Sequence, residues 1–413
     1  MLETISAKDR DILRSLACKQ AEYAEQSWNK QLESEWRRHR RFEKGRPMVS
    51  LEIGGFREEV YGPRLRCESQ KAREMERQLL SAFLNHELFE DDKVVPGYFG
   101  VKWDTWFTLF HIPVVKEFAE NSMGHHFVPQ IQDLEDDWEK LLPSCYGVNR
   151  ESTMQKKELA EQIFGDILPV KLDMPCLCAV PTQDIIHLMG MENFMFALYD
   201  YPELVKEMME RVADDYIAYF RWMEQEQLLL PTTGCQWLGQ GSFCYTDELP
   251  SNPTPVRTQD VWGFMDSQET VGISQAMYEE FIFPCYKKIA GVMGLLSYGC
   301  CEPVDGIWET CLSTLPNLRN VSVSAWCDEK KMGEYLAGKK VVFHRKPSAN
   351  FLSASETLDE PALRKHFRAT LEAARGCQLE IVQRDILTMH HNMEKGRRYI
   401  EILRDEIEKH WVI

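Results

Sequence analysis

Positive charge is in short supply here: 48 lysines and arginines stand against 65 aspartates and glutamates, a formal charge of −17. That balance argues against a surface built for nucleic acid or anionic lipid. Long apolar runs are missing as well, and none approaches the roughly 20 residues needed to span a bilayer. The opening stretch MLETISAKDRDILRSLACKQ is charged from Glu3 onward and has no apolar core of a secretory signal. We therefore expect a cytoplasmic protein that works on a small molecule, with no nucleic-acid or membrane partner. No CxxC pair occurs, which removes zinc ribbons and dithiol redox motifs. A G-x-G-x-x-G after the first strand and a Walker pattern are also absent, which counts against nucleotide-binding doubly wound sheets. Internal repeats and low-complexity stretches do not appear.

What is present is a globular composition, 44% hydrophobic and 27% charged over 413 residues. That length suits two domains or one α/β barrel with extensions. The 13 cysteines are odd in number and scattered, a pattern of reduced, mostly packed thiols rather than a disulfide framework. Residues 1–45 read as helix, ending in the basic run Arg37-Arg38-His39-Arg40-Arg41, which we take as a solvated face in preference to an anion site. GRPMVSLEIGG supplies a short strand, and a charged helix follows around 68–88.

From about residue 94 the pattern changes to apolar runs separated by amphipathic helices. The runs are 94–103, 167–174, 228–239, 260–269, 293–303, 318–328, 340–349 and 378–386. Helices are clearest at 191–226, 274–293, 329–338, 359–375 and 391–410, several opened by a capping residue such as Ser274 or Asp328. Short strands alternating with helices imply parallel βαβ units. The expected fold is a (β/α)8 TIM barrel over residues 91–413 with a helical N-terminal extension over 1–90.

The later runs begin apolar and turn polar at their C-terminal ends: Asp266-Ser267-Gln268-Glu269, Tyr298 to Glu302, Ser324 and Trp326, Arg345-Lys346, Arg384-Asp385. In a parallel barrel these ends meet on one face, where sites of that fold lie. Asp266, Tyr298 and Glu302 are the candidate catalytic groups, although Asp266 also fits a helix cap. Trp237, Ser324, Trp326, Arg345 and Lys346 are the candidate substrate contacts. Arg345 and Lys346 read either as anion binders or as ion-pair partners of Asp385. Cys300 and Cys301, with Asp385 and His390, are candidate metal ligands, against the alternative of packed thiols. His344 is expected to face the core, opposite to its neighbours Phe343 and Arg345. His125-His126 reads as a surface pair. Trp103, Trp106, Trp237 and Trp326 read as core or as pocket wall.

Two stretches carry a family resemblance. DVWGFMDSQETVGISQAMYEEFIFPCYKKI is similar to the part of the uroporphyrinogen decarboxylase superfamily where a strand ends in Asp-Ser before a Tyr-Glu-Glu-Phe helix. MGMENFMFALYDYPELVKEMMERV resembles that superfamily's helix pair. The resemblance spans roughly 160–410 and implies a (β/α)8 barrel. The Arg-rich loop of true uroporphyrinogen decarboxylases is not reproduced by GRPMVSLEIGGFREEVYGPRLR. In the zinc-dependent corrinoid methyltransferases of the superfamily, a His-x-Cys and a later Cys hold the metal. Here those positions fall on Tyr298-Gly299-Cys300 and near Asp385, so only Cys300 matches. The resemblance thus implies a methyltransferase of corrinoid-dependent one-carbon metabolism, with zinc as its metal and the corrinoid brought by a partner protein. A metal-free decarboxylase of a carboxylated substrate and a non-catalytic corrinoid- or folate-binding barrel are the alternatives. A dimer is compatible with all three.

Overall fold

The computed structural model describes residues 5–118 and 125–411. Apolar spacing and caps set the helices. Ser6 caps α1 (Ala7–Glu25), and α2 (Ser27–Arg40) follows at once, burying Leu32 and Trp36. Then come β1 (Met48–Leu51), the long α3 (Gln70–Phe89), β2 (Phe99–Val101), α4 (Arg150–Phe164), β3 (Val170–Leu172) and β4 (Leu177–Ala179). Helices α5 (Pro181–Met189) and α6 (Pro202–Gln225) precede the short β5 (Trp237–Gly239) and β6 (Ser242–Phe243). The remaining chain alternates: β7 (Trp262–Met265), α7 (Phe283–Ala290), β8 (Leu295–Tyr298), β9 (Leu318–Val323), α8 (Glu329–Leu336), β10 (Val342–Arg345), α9 (Glu360–Ala373), β11 (Gln378–Gln383) and α10 (Met393–His410). Ser274 and Asp328 cap as expected, each accepting a backbone N–H three residues on.

Seven strands form one parallel sheet in the order β1, β11, β10, β9, β8, β7, β4. Five of the expected runs supply β7 to β11. The first three do not join it. Residues 99–101 and 170–172, from the first two, pair with each other as a separate parallel ribbon, and the third gives only β5 of a small antiparallel hairpin. Their proline-broken sequences leave too few consecutive donors for a long ladder. The sheet recruits β1 instead, from the segment read as a helical extension, in register with β11. Helices pack on one face of this sheet, over Met265, Leu296, Val321, Phe343 and Ile381. Alternation sends Phe264, Ser297, Asn320, Ser322, His344, Glu380 and Val382 to the other face.

That inner face wraps round the β5–β6 hairpin. A Cβ added at Gly239 would meet the Phe264 ring of β7, and one added at Gly241 would meet Val382 of β11. These strands are four steps apart, roughly 19 Å in a flat sheet, whereas three residues span about 10 Å at most. The sheet is therefore strongly curled. Both glycines have positive φ, which side chains resist, so the hairpin passes this close only as Gly-Gln-Gly. The hairpin also ties the two sheet edges: Cys176, just before β4, donates its N–H to Trp237 O at 3.2 Å, and Ser50 Oγ of β1 donates to Gly241 O at 3.3 Å.

Helix α2 inserts a charge beneath the hairpin. Arg40 belongs to the run expected on a solvated face, yet it is buried and lies inside the curl. Its guanidinium donates to Asn320 Oδ1 at 3.1 Å, Ser242 Oγ at 2.5 Å and Glu380 Oε2 at 3.2 Å, with the Trp262 ring 5.6 Å away. Asn320 Nδ2 donates to Ser297 Oγ and to His344 Nδ1, both at 3.0 Å. His344 faces inward as its parity requires, and burial pushes its pKa well down. His39 is buried as well, whereas Arg37, Arg38 and Arg41 are more exposed, Arg37 and Arg41 reaching Asp247.

Candidate functional site

The C-terminal ends of the sheet strands carry the polar residues, and strand parity decides which of them turn inward. Phe264, His344, Val382 and Ser50 face the hairpin, so Asp266, Lys346, Arg384 and Glu52, each two residues further on, project the same way. Lys346 Nζ donates to Gln240 Oε1 at 2.8 Å and also to the Cys300 carbonyl. Arg384 reaches the same Gln240 oxygen, and its Nε lies 2.9 Å from Glu52 Oε2. The tip of the hairpin thus holds two cations on one carboxamide, Lys346 buried and Arg384 partly so. Burial pushes the Lys346 pKa down, and the Arg384 charge adds to this against the pull of the rim thiols and Glu302.

Asp266 is buried, and its Oδ1 has no partner. Burial first, then Glu302 and Glu269, push its carboxyl up to about 8, despite Lys346. It is a carboxylic acid holding its proton at neutral pH. The Cys300 and Cys301 sulfurs lie 3.7 Å apart. A hydrogen bond from Cys300, then the Lys346 and Arg384 charges, pull Cys301 down to about 6 against burial and Asp385. Cys300 moves the opposite way. Cys178 of β4 shares the inner face. Solvent reaches its side chain, although protein atoms crowd the sulfur, and that crowding with Asp266 and Asp184 pushes its pKa up to about 12.

Glu302 anchors this rim. Its Oε1 accepts the Ser267 N–H at 2.9 Å and its Oε2 the Cys300 N–H at 2.8 Å. One carboxylate thereby fixes the turns after β7 and β8. Glu302→Gln would set an amide donor against one of those N–H groups, and we expect it to cost about 1–3 kcal/mol. Urea denaturation checks this, and an unchanged midpoint with unchanged slope would contradict it.

Tyr298 has the opposite parity. Its hydroxyl is in the helix layer, 2.6 Å from both Ser267 Oγ and Tyr278 Oη. Its role in this geometry is to brace the Asp266–Ser267 turn from behind, together with Tyr286, which donates to Asp266 O at 2.6 Å. Arg345 also points outward, donating to Val323 O and Ser324 O and pairing with Glu329. Ser324 is buried, 3.5 Å from Glu302 O, and accepts the Trp326 N–H. Trp326 is 77% exposed and Trp237 43% exposed. Asp385 is half exposed and 3.3 Å from Arg384 Nη2. His390 turns its Nε2 to Ser353 O at 2.9 Å. His125 and His126 are exposed, as expected of a surface pair.

The structure thus brings together Asp266, Cys300, Cys301, Glu302 and Lys346, and leaves Tyr298, Arg345 and His390 facing elsewhere. Sequence reading placed Arg384 on the site face without a role and did not assign Glu52, Cys178 or Gln240 to the site. Parity along each strand points to the first three. Nothing local points to Gln240, whose position depends on the hairpin entering the curl.

Zinc is the metal expected of these donors. Among the described residues no three His, Cys, Asp or Glu side chains cluster closely enough to hold a metal ion. Both Glu302 oxygens are taken by backbone amides, and His390 is turned away. The donors do not fit the expected ligand set. No described helix is long and apolar enough to cross a membrane. No protein-family model matches the chain, and no curated protein matches it.

Proposed function

We propose that this chain is a barrel enzyme resembling the uroporphyrinogen decarboxylase superfamily, with the β5–β6 hairpin standing where an eighth strand would close the ring. Its activity on this reading is methyl transfer in corrinoid-dependent one-carbon metabolism. The observation that carries the reading is the pairing, on one rim, of a protonated Asp266 with the Lys346–Arg384 cations and the Cys300–Cys301 thiols. A methylated small molecule with an anionic group would dock by displacing the Gln240 carboxamide oxygen from the two cations. The methyl–heteroatom bond breaks as the methyl passes to an acceptor, and the leaving heteroatom takes the Asp266 proton. General acid help of this kind is worth about 10²–10⁴ in rate. The acceptor, a reduced corrinoid on a partner protein, would approach over the open rim.

The test is to incubate the protein with reduced cobalamin and a panel of methoxylated and N-methylated carboxylic acids. Methylcobalamin and the demethylated product should form together, and only with enzyme present. A second reading rests on the same two cations, with no ligand set gathered among the described residues: decarboxylation of a carboxylated substrate without metal. Carbon dioxide release from the panel, with no methylated acceptor and no effect of chelator, would replace methyl transfer by that reading. Tight cobalamin binding without turnover would leave a binding protein.

A further inference from the structure

Away from the rim, between α3 and β2, lies a cavity of about 670 Å³, within the usual size range for a small-molecule site. Along α3 the residues Lys71, Glu74, Met75 and Gln78 share one helical face and line it. Arg77 adds its guanidinium from α3, Lys102 enters from just beyond β2, and Lys156 projects from α4. Four cations and one carboxylate therefore meet here, in a chain whose net charge is −17. The local sign is the reverse of the global one.

These cations are weakly engaged. Arg77 Nε is buried without a partner, and Arg77 Nη2 lies 3.8 Å from Glu58. Lys156 has Asp104 at 3.4 Å, with both side chains largely exposed. Among the described residues, neither Lys71 nor Lys102 has a carboxylate within 4.0 Å. Glu74, the acidic member, accepts from Gln70 Nε2 at 3.0 Å. Phe99, Val101 and Leu159 give the cavity an apolar wall, which a bare inorganic ion would not use. Gln78 Nε2 meets Gly100 O at 2.6 Å and holds the helix to the strand edge.

We propose that this cavity binds an organic polyanion: an apolar body against Phe99 and Leu159, with phosphate or carboxylate groups toward Lys71, Arg77, Lys102 and Lys156. The site is separate from the rim, and the inference stands or falls independently of the activity proposed there. Specificity would come from the apolar wall and on-rate from the charges.

Isothermal titration at low ionic strength tests it, with AMP, citrate and benzene-1,3,5-tricarboxylate as anionic probes and adenosine and inorganic phosphate as controls. At least one organic anion should bind with Kd below about 1 mM and at least about tenfold more tightly than either control. Lys102→Glu combined with Lys156→Glu should weaken it by about tenfold or more, and added salt should weaken the wild type. Both side chains are exposed, so circular dichroism should show an unchanged fold. No heat from any of the three anions overturns the proposal. So does equal affinity for inorganic phosphate, or binding that the folded double variant retains in full.

Discussion

Arg40→Met is expected to be the most destabilising single change described here, costing about 3–5 kcal/mol, because it strands a buried carboxylate. Glu380 is 0% exposed and keeps only Ser242 Oγ, at 2.7 Å, once the guanidinium is gone. Asn320 loses a donor to its Oδ1 at the same time. Burial already pushes the Glu380 pKa up even with Arg40 in place. Against a total stability of about 5–15 kcal/mol, the loss is large enough to populate unfolded chains. Replacing both partners, Arg40→Met with Glu380→Gln, should recover much of it, since no charge is then left behind. Equilibrium urea denaturation of the three variants measures this. A single-variant loss under about 1 kcal/mol would mean that water or a rearranged side chain satisfies Glu380.

Asp266→Asn is expected to separate activity from stability. Turnover should fall by about 10²–10⁴, the usual worth of a general acid, while the folded state gains stability above neutrality. The ordinary aspartate pKa is 3.8, and the folded value is raised to about 8. Between those values the folded chain holds a proton that the unfolded chain has released. Stability from this residue is thus full below about pH 4, declines as pH rises, and is lost once pH passes about 8. Asparagine carries no such penalty, so the thermal midpoint of the variant should exceed that of the wild type by a margin that widens from pH 5 to pH 8. Wild-type turnover should fall as pH rises through the same upper value. A variant that loses activity without gaining stability at pH 8 would mean Asp266 is ionised in the folded enzyme.

Five strands of the main sheet and most of the helices were legible because hydrophobic period and capping residues coincide there. The 359–375 expectation, for example, lies within two residues of Glu360–Ala373 at each end. The edges of the sheet were not legible. Met48–Leu51 is only four residues long, and its place beside Gln378–Gln383 depends on a pairing that no local pattern encodes. At the site, the inward turn of His344 follows from alternation, and the same alternation sends Arg345 outward. Charge type alone had made Arg345 a substrate contact. Tyr298 shares that lesson, since its parity matches Leu296 in the helix-facing cluster. Arg40 is harder. Within Arg37-Arg38-His39-Arg40-Arg41 nothing but helical phase separates a solvated guanidinium from a buried one, and the phase is fixed by Trp36 docking on Asp92 O at 2.6 Å.

The Arg40–Glu380 contact joins residues 340 positions apart in the chain. Until Glu380 and β11 have left the ribosome, α2 has no carboxylate to meet and β1 has no neighbour to pair with. Native closure is therefore deferred until this distant segment has been made, in the manner of folds dominated by distant pairings. Until then the nascent chain exposes an unpaired strand and an uncompensated cation, a state in which chaperone capture competes with self-association.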